Sequence, residues 1–370
     1  MSAIDASRRI DQASSVGWRV KTAKARFIAA CLILLALVGV LLCLHVFVGT
    51  VGLTPTQVTN ALLGRPEEAL HGQIVVGLRL PRALVAVVAG AMIGLSGAIL
   101  QNMTRNPLAE PGLLGVSAGG VLAVVVHIVA QSGRNADGVV DSGIGLPFFA
   151  MAGGLAAGAL TYALSWKHGA DPARLVLSGV LVGSLCGAFT SVLMLWANEY
   201  QLLRVVRWTI GSTAGRVWSH WHMLWPFALA ALPLGMLSAG LANALQLGDD
   251  VASGLGVHLQ AARGALLLVS VMLDASAVAV VGPVGFIGLI GPHMARMLFG
   301  GDARRLFPLS ALVSAMLLIA ADILARTLTL GWIGGLTGLD VPDNAGIPVG
   351  AVTALLGAPF FLYLLLRRPV

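Results

Sequence analysis

Two carboxylates stand where apolar helices would cross a bilayer: Asp274 within LLLVSVMLDASAVAVV and Asp322 within SAMLLIAADILART. Burying charge in lipid is expensive, so an acid at that depth is a functional candidate by default. Asp322 and Arg326 are four residues apart and share one helix face, which makes a neutralising pair the economical reading. Asp274 has no such partner in sequence. Three roles stand open for it: a hydrogen-bonded structural residue, a pathway-lining group or a protonated acid, the structural one first. Arg79 and Arg82 bracket Leu80-Pro81 immediately before another apolar run. Each guanidinium is a planar, always-charged fork that can hold a carboxylate bidentately; anchoring to lipid phosphates is the simpler alternative. His127 reads as a satisfied interior histidine, and His293, with no second His or Cys at ligand spacing, as a hydrogen-bonded residue near the cytoplasmic side. Cys31, Cys43 and Cys186 all lie in apolar runs and read as small core residues, so no metal site is expected. No Ser/His/Asp or HExxH pattern occurs, and the only lysines, Lys21, Lys24 and Lys167, sit in no GxxxxGK[ST] loop. The chain therefore reads as no enzyme. If ATP drives its work, a separate subunit must hold the phosphates.

The composition explains where these groups must sit. Hydrophobic residues make up 57% of the chain and charged ones 11%, with a mean hydropathy of +0.89. Soluble domains carry about 25% charged residues, so this is an integral membrane protein. Its 46 glycines suit helices whose backbones approach closely. The net charge of +7 comes with basic clusters before the first apolar run (Arg8, Arg9, Arg19, Lys21, Lys24, Arg26) and at Arg367-Arg368. Such flanks face the cytoplasm and its anionic lipids, and no soluble module accompanies them that would suit nucleic acid. The apolar run Phe27 to Val48 exceeds a signal-peptide core and reads as a retained first helix.

Ten spans are expected, eight of them from pattern alone, with the split of 264–300 resting on Gly282-Pro283 as a breaker and on the family resemblance given below: 27–48, 82–103, 113–131, 145–165, 174–197, 222–242, 264–281, 285–300, 306–328 and 347–366. An even number puts both termini on one side, and the basic ends make that side cytoplasmic. Residues 1–26 are then a cytoplasmic tail, 27–366 one transmembrane domain and 367–370 a cytoplasmic end. Between the second and third spans lies a polar knot, Gln101 to Gly112, whose Asn106-Pro107 and Pro111-Gly112 fix a turn. Leu245 to Ala262 is too short and polar to span, and Gly254 and Gly256 interrupt its helical spacing. It reads as two short helices around a glycine turn. Gly179, Gly183 and Gly187 share a helix face that suits packing either inside the subunit or across a dimer seam. Gly282, Gly285, Gly288 and Gly291 form a slowly rotating strip ending in Pro292-His293, compatible with a conformationally active segment or with close packing.

The stretch RLPRALVAVVAGAMIGLSGAILQNMTRNPLAEPGLLGVS from Arg79 to Ser117, with Trp208 to Ser212, Gly282 to His293 and Ile347 to Pro359, resembles the FecCD-like family. These are permease subunits of bacterial type II ABC importers for iron-siderophores, haem and cobalamin. The likeness runs from about residue 27 to 366. It implies an all-α permease fold of about ten spans in the inner membrane, moving a metal chelate, with ferric siderophore first and haem or cobalamin next. It implies a second permease half, identical or a sibling, two ATPase subunits that bind ATP and Mg, and an extracytoplasmic binding protein, with no cofactor on this chain. By family position, Arg79, Arg82 and Arg326 would dock the binding protein. Residues 245–262, with Leu247, Gly248, Asp249, Asp250, Gly254, Leu255 and Gly256, would couple to the ATPase. Gly179, Gly183 and Gly187 would face the pathway or the dimer seam. One departure is Gly346, where a Glu commonly stands, after a long loop, Leu330 to Ala345. The competing class is a proton-coupled secondary transporter using Asp274 or Asp322, although the inverted repeats common in such folds are not visible.

Overall fold

The computed structural model describes residues 3–130, 145–166, 171–328 and 346–366, with side chains from residue 24 and without those of 364 and 365. All ten expected spans are helical. They correspond to α1 (Ala3–Phe47), α4 (Leu80–Thr104), α5 (Val116–Ala130), α6 (Gly145–Ser165), α7 (Pro172–Met194), α9 (Trp218–Leu237), α12 (Leu259–Val281), α13 (Ile287–Phe299), α14 (Ala303–Thr327) and α15 (Val349–Leu366). Six of the described helices are long and apolar enough to cross a membrane alone; α9 becomes a seventh together with α10 (Ala239–Gln246), across a 42° bend. The shorter helices are α2 (Pro55–Leu62), α3 (Ala69–Gly72), α8 (Glu199–Thr209) and α11 (Asp249–Gly254). A π-helical turn, Gln73–Arg79, leads from α3 into α4.

Helix α4 forms the centre, packed on α14, α12, α9 and α13. Small residues permit this. Gly97 lies against the Gly288 backbone of α13, and Gly94 and Gly291 both lie against Ser314 of α14, leaving no room for a Cβ. Ser96 on α4 donates to the Ser270 carbonyl of α12 at 2.8 Å, satisfying a polar group that lipid would leave stranded. Met92, Leu95, Ile99, Leu273 and Phe307 fill the interior between these helices. At the periphery, α1 and α7 present Leu32, Leu35, Leu177, Leu181 and Phe189 outward. Such apolar exposure suits lipid or another subunit rather than water.

Two boundaries differ from the sequence reading. The residues ahead of the first span continue its helix, since α1 is helical from Ala3; their Ala, Arg, Lys and Gln content favours helix without needing apolar surface. The expected pair of short helices over 245–262 is one short helix, α11, and a turn. The second expected helix is instead the opening of α12, which starts at Leu259. The 222–242 span is bent, with α9 giving way to α10 at Ser238. The Gly282-Pro283 break does separate two helices: α12 stops at Val281, Gly282 turns with φ 76°, and α13 starts at Ile287. The 330–345 loop lies outside the described residues except for its neighbour Gly346, whose successor Ile347 donates to the Ala325 carbonyl at 3.2 Å.

Candidate functional site

The C-termini of α1 and α14 and the N-terminus of α4 meet at one end of the bundle, and Asp322 is the hub there. Arg82 grips it with both arms, Nε to Oδ2 at 2.9 Å and a terminal nitrogen to Oδ1 at 2.6 Å. His45 Nε2 lies 2.6 Å from Oδ2, and the Thr213 hydroxyl donates to Oδ1. Arg326 stands 3.6 Å away, so the pair read from the four-residue spacing is present. Both Asp322 and His45 are fully buried. Arg79 is also enclosed, and its guanidinium donates to the carbonyls of Val46 and Phe47, both at 3.0 Å, and of Val51 at 2.5 Å. Arg326 donates to the Val48 carbonyl at 3.0 Å. These contacts tie the loop after α1 to α4 and α14.

Above the hub lies a recess of about 220 Å³, with Arg79, Arg82, Arg216 and Arg326 in its wall. Four guanidinium groups line the recess and no carboxylate among the described residues does, with Asp322 buried behind Arg82, so the recess is strongly positive. The three arginines singled out from sequence are thus brought together, but their hydrogen bonds go to the chain itself. Arg216 was not singled out. Its Nε is buried without a hydrogen-bond partner among the described residues. Burial, and then the nearby Arg82, lower its pKa to about 10, so it stays charged at neutral pH.

The opposite end holds a second ionic joint. Asp249, at the start of α11, accepts from Arg105 at 2.6 Å and from Arg263 of α12 at 2.8 and 2.9 Å. Arg105 closes α4 in the left-handed conformation (φ 51°) and also holds the Leu245 carbonyl at 2.7 Å. Asp249 therefore fastens α11 to the ends of the two most central helices. Burial pushes its carboxyl up, but the hydrogen bonds from Arg105 and Arg263 outweigh this and hold it below the ordinary value. Gly248 (φ 105°) and Gly256 (φ 81°) make the turns on either side of α11. Leu247, Val251 and Leu255 point outward there, at 60, 51 and 64% exposure, beside exposed Asp250 and Gly254. A cleft of about 620 Å³ opens next to this joint, between Arg105, Asp249 and the first turns of α7.

The glycine face of α7 divides. Gly179 and Gly183 lie against Leu113 to Gly115 of the same chain, whereas nothing stands within 4 Å of a Cβ at Gly187. His127 stacks on Phe149 at 4.0 Å between ring centres, and His293 meets Phe360 edge-on at 5.9 Å. Among the described residues no group of three or more His, Cys, Asp and Glu could hold a metal ion. The polar knot is a junction. Gln101 reaches the Gly288 carbonyl at 3.4 Å, Asn102 accepts from Arg296 at 2.9 Å, and Glu110 accepts from the Phe286 amide at 2.7 Å. Sequence reasoning missed His45, Thr213, Arg216 and this use of Glu110. A signal existed for Glu110, an acid inside the proline-glycine turn; the others are joined only by tertiary folding.

Comparison with known proteins gives a consistent likeness. The profile of the FecCD transport family matches residues 33–367. The iron(3+)-hydroxamate import system permease protein FhuG of Bacillus subtilis is 36% identical over 352 residues, covering 94% of this chain and 99% of that protein. The hemin transport system permease protein HmuU of Yersinia pestis is 42% identical over 292 residues, covering 79% and 82%. The Fe(3+) dicitrate transport system permease protein FecC of Escherichia coli is 35% identical over 312 residues, covering 84% and 88%. A solved structure described as the inward-facing conformation of an ABC transporter assigned to the metal-chelate type superposes with a TM-score of 0.77. It is 28% identical, covering 91% of this chain and 99% of that one.

Proposed function

Because this chain belongs to the FecCD transport family, we propose that it is the permease subunit through which an ABC importer moves a metal chelate inward across the cytoplasmic membrane. A ferric siderophore is the first choice of cargo, supported by the hydroxamate and dicitrate permeases among its relatives; haem, supported by the hemin permease, comes next, and cobalamin after it. The cargo is carried without chemical change. ATP and Mg belong to a pair of partner ATPase subunits, and the chelate arrives on an extracytoplasmic binding protein. Both termini and the Asp249 end face the cytoplasm in this reading, and the arginine recess faces outward. A second permease half, identical or a sibling, completes the pathway, with the outer face of α7 and Gly187 toward the seam.

The observation that carries the reading is the Arg105–Asp249–Arg263 joint. An exposed short helix with apolar residues outward is suited to a groove on a partner, and here it is bound ionically to α4 and α12. ATP-driven closure of the ATPases would pull α11, and the joint would pass that movement to the helices that line the interior, as a rigid-body rotation. At the other end, the recess offers a positive field that steers an acidic partner. Arg82 and Arg216 supply its accessible charge, while Arg79 and Arg326 also brace its walls. The test is to replace Gly254 and Gly256 together by valine, since β-branched side chains disfavour the φ of 81° at Gly256. The ATPase should no longer co-purify while membrane insertion is intact. Unchanged ATPase binding and uptake would overturn the assignment of this segment.

A further inference from the structure

Helix α13 has 13 residues, which at ~1.5 Å rise span only about 20 Å, less than the ~30 Å of hydrocarbon in a bilayer. Its last turns are fixed at the Asp249 end, where Arg296 bonds Asn102 at the close of α4. Its beginning must therefore lie inside the bundle, and the non-helical stretch from Gly282 to Phe286 is backbone at membrane depth. Irregular backbone is tolerated there only where protein or a polar cavity covers it.

A cavity of about 190 Å³ adjoins this break, and two carboxylates line it: Glu110 from the polar knot and Asp274 from α12. Asp274 is 3% exposed, and its Oδ2 has no hydrogen-bond partner among the described residues. Glu110 spends one oxygen on the Phe286 amide. The two acids are not hydrogen-bonded to each other, and the space between them is large enough for several water-sized particles, each needing about 10–15 Å³. No basic side chain among the described residues is in the wall; Ile93, Pro111, Gly112, Ser117 and Pro283 to Gly285 contribute the rest. The other titratable groups on the elements packed against α12 are Arg82 and the closing Arg105 of α4, His127 on α5, Tyr162 on α6, His220 and His222 on α9 and Asp249 and Asp250 on α11, with Arg263 on α12 itself, and none of them lines the cavity. Two buried carboxylates without a cation cannot both stay ionised at such depth. In membrane transporters the unwound backbone carbonyls of broken helices coordinate sodium ions or protons.

We propose that this cavity takes one monovalent positive charge, an alkali cation or a proton, between Glu110 and Asp274. Its occupancy ties the α4–α5 connection to the α12–α13 break. It supplies no energy for transport, so the inference stands apart from the importer reading. The test uses the full-length chain with its ATPase partner in lipid nanodiscs, melted in sodium, potassium or choline chloride at several pH values. Asp274→Asn and Asp274→Ser are compared with it, and Glu110→Gln can keep the bond to Phe286. An alkali ion in hundredfold excess over its dissociation constant should raise the wild-type melting temperature by about 3 °C, and all three variants should lose the response. If the occupant is a proton, sodium and potassium act like choline. The wild type then loses stability relative to Asp274→Asn as pH rises, and infrared spectra show a protonated carboxyl band missing from that variant. Wild type and variants that respond identically to cations and to pH, with no such band, would overturn the proposal.

Discussion

Asp322→Asn is the sharpest test of how the arginine end is built. The substitution keeps the shape of the side chain but removes the charge that Arg82, His45 and Thr213 share and that Arg326 approaches to 3.6 Å. Asparagine has one acceptor oxygen and an amide group that faces donors. Removing one partner from a buried ionic network costs about 3–5 kcal/mol, mostly from the charges left unpaired. The magnitude converts to temperature through the unfolding entropy, ~2.1 cal/mol/K per residue; over 370 residues this is about 0.8 kcal/mol/K. Asp322→Asn should therefore lower the melting temperature by about 4–6 °C in nanodiscs. Asp249→Asn is the control. Its carboxylate is 42% exposed, so its loss should cost no more than about 1 kcal/mol, or about 1 °C. Replacing Arg82 by Met together with Asp322 by Leu should recover part of the loss, because the costly element is an unpaired charge. If Asp322→Asn melts within about 1 °C of wild type, or the double variant melts no higher than Asp322→Asn, Asp322 is not the hub described here.

Four further outcomes follow from the same geometry. Asp249 has a depressed pKa in the folded chain, so its contribution is complete above the unfolded value of about 3.9 and fades as pH falls through the folded value. The melting difference between Asp249→Asn and wild type should be constant between about pH 5 and 8 and shrink only in stronger acid; a change near neutrality would contradict the joint. Arg79→Glu with Arg82→Glu should weaken docking of the binding protein at low salt, with salt reducing the difference. Arg216→Glu, which breaks no hydrogen bond among the described residues, should weaken docking without lowering the melting temperature; unaltered docking in both cases would leave the recess a structural feature alone. Cysteines introduced at Leu181, Leu185 and Gly187 should crosslink between two permease halves, whereas a functional monomer with its ATPase would exclude that seam.

Most of the helices were legible because their apolar runs are long and bounded by glycine, proline or charge, whereas α13, with 13 residues, was separated from α12 with the help of the family resemblance. Gly282-Pro283 marked the α12–α13 break, and Asp322 with Arg326 marked an ion pair by spacing alone. Two short helices passed unnoticed although both carry capping boxes, Thr54 with Gln57 before α2 and Asn198 with Gln201 before α8. What spacing could not show was which group each charge would meet. Arg79 and Arg82 are three residues apart, yet one turns to carbonyls after α1 and the other to Asp322 on α14. Asp274 has no partner near it in sequence, and the acid that shares its cavity is Glu110, brought there by the turn of the polar knot. Likewise spacing names no partner for Asp249, and only the fold brings Arg105 and Arg263 to it.

The central claim is that this chain is the passage of an ATP-driven chelate importer. The direct measurement is uptake of a radiolabelled ferric siderophore by proteoliposomes holding this permease, its ATPase partner and the loaded binding protein. Uptake should require ATP, stop when the ATPase is catalytically inactive, and continue after a protonophore collapses the proton gradient. Uptake that proceeds without ATP and ends with the proton gradient would contradict the account.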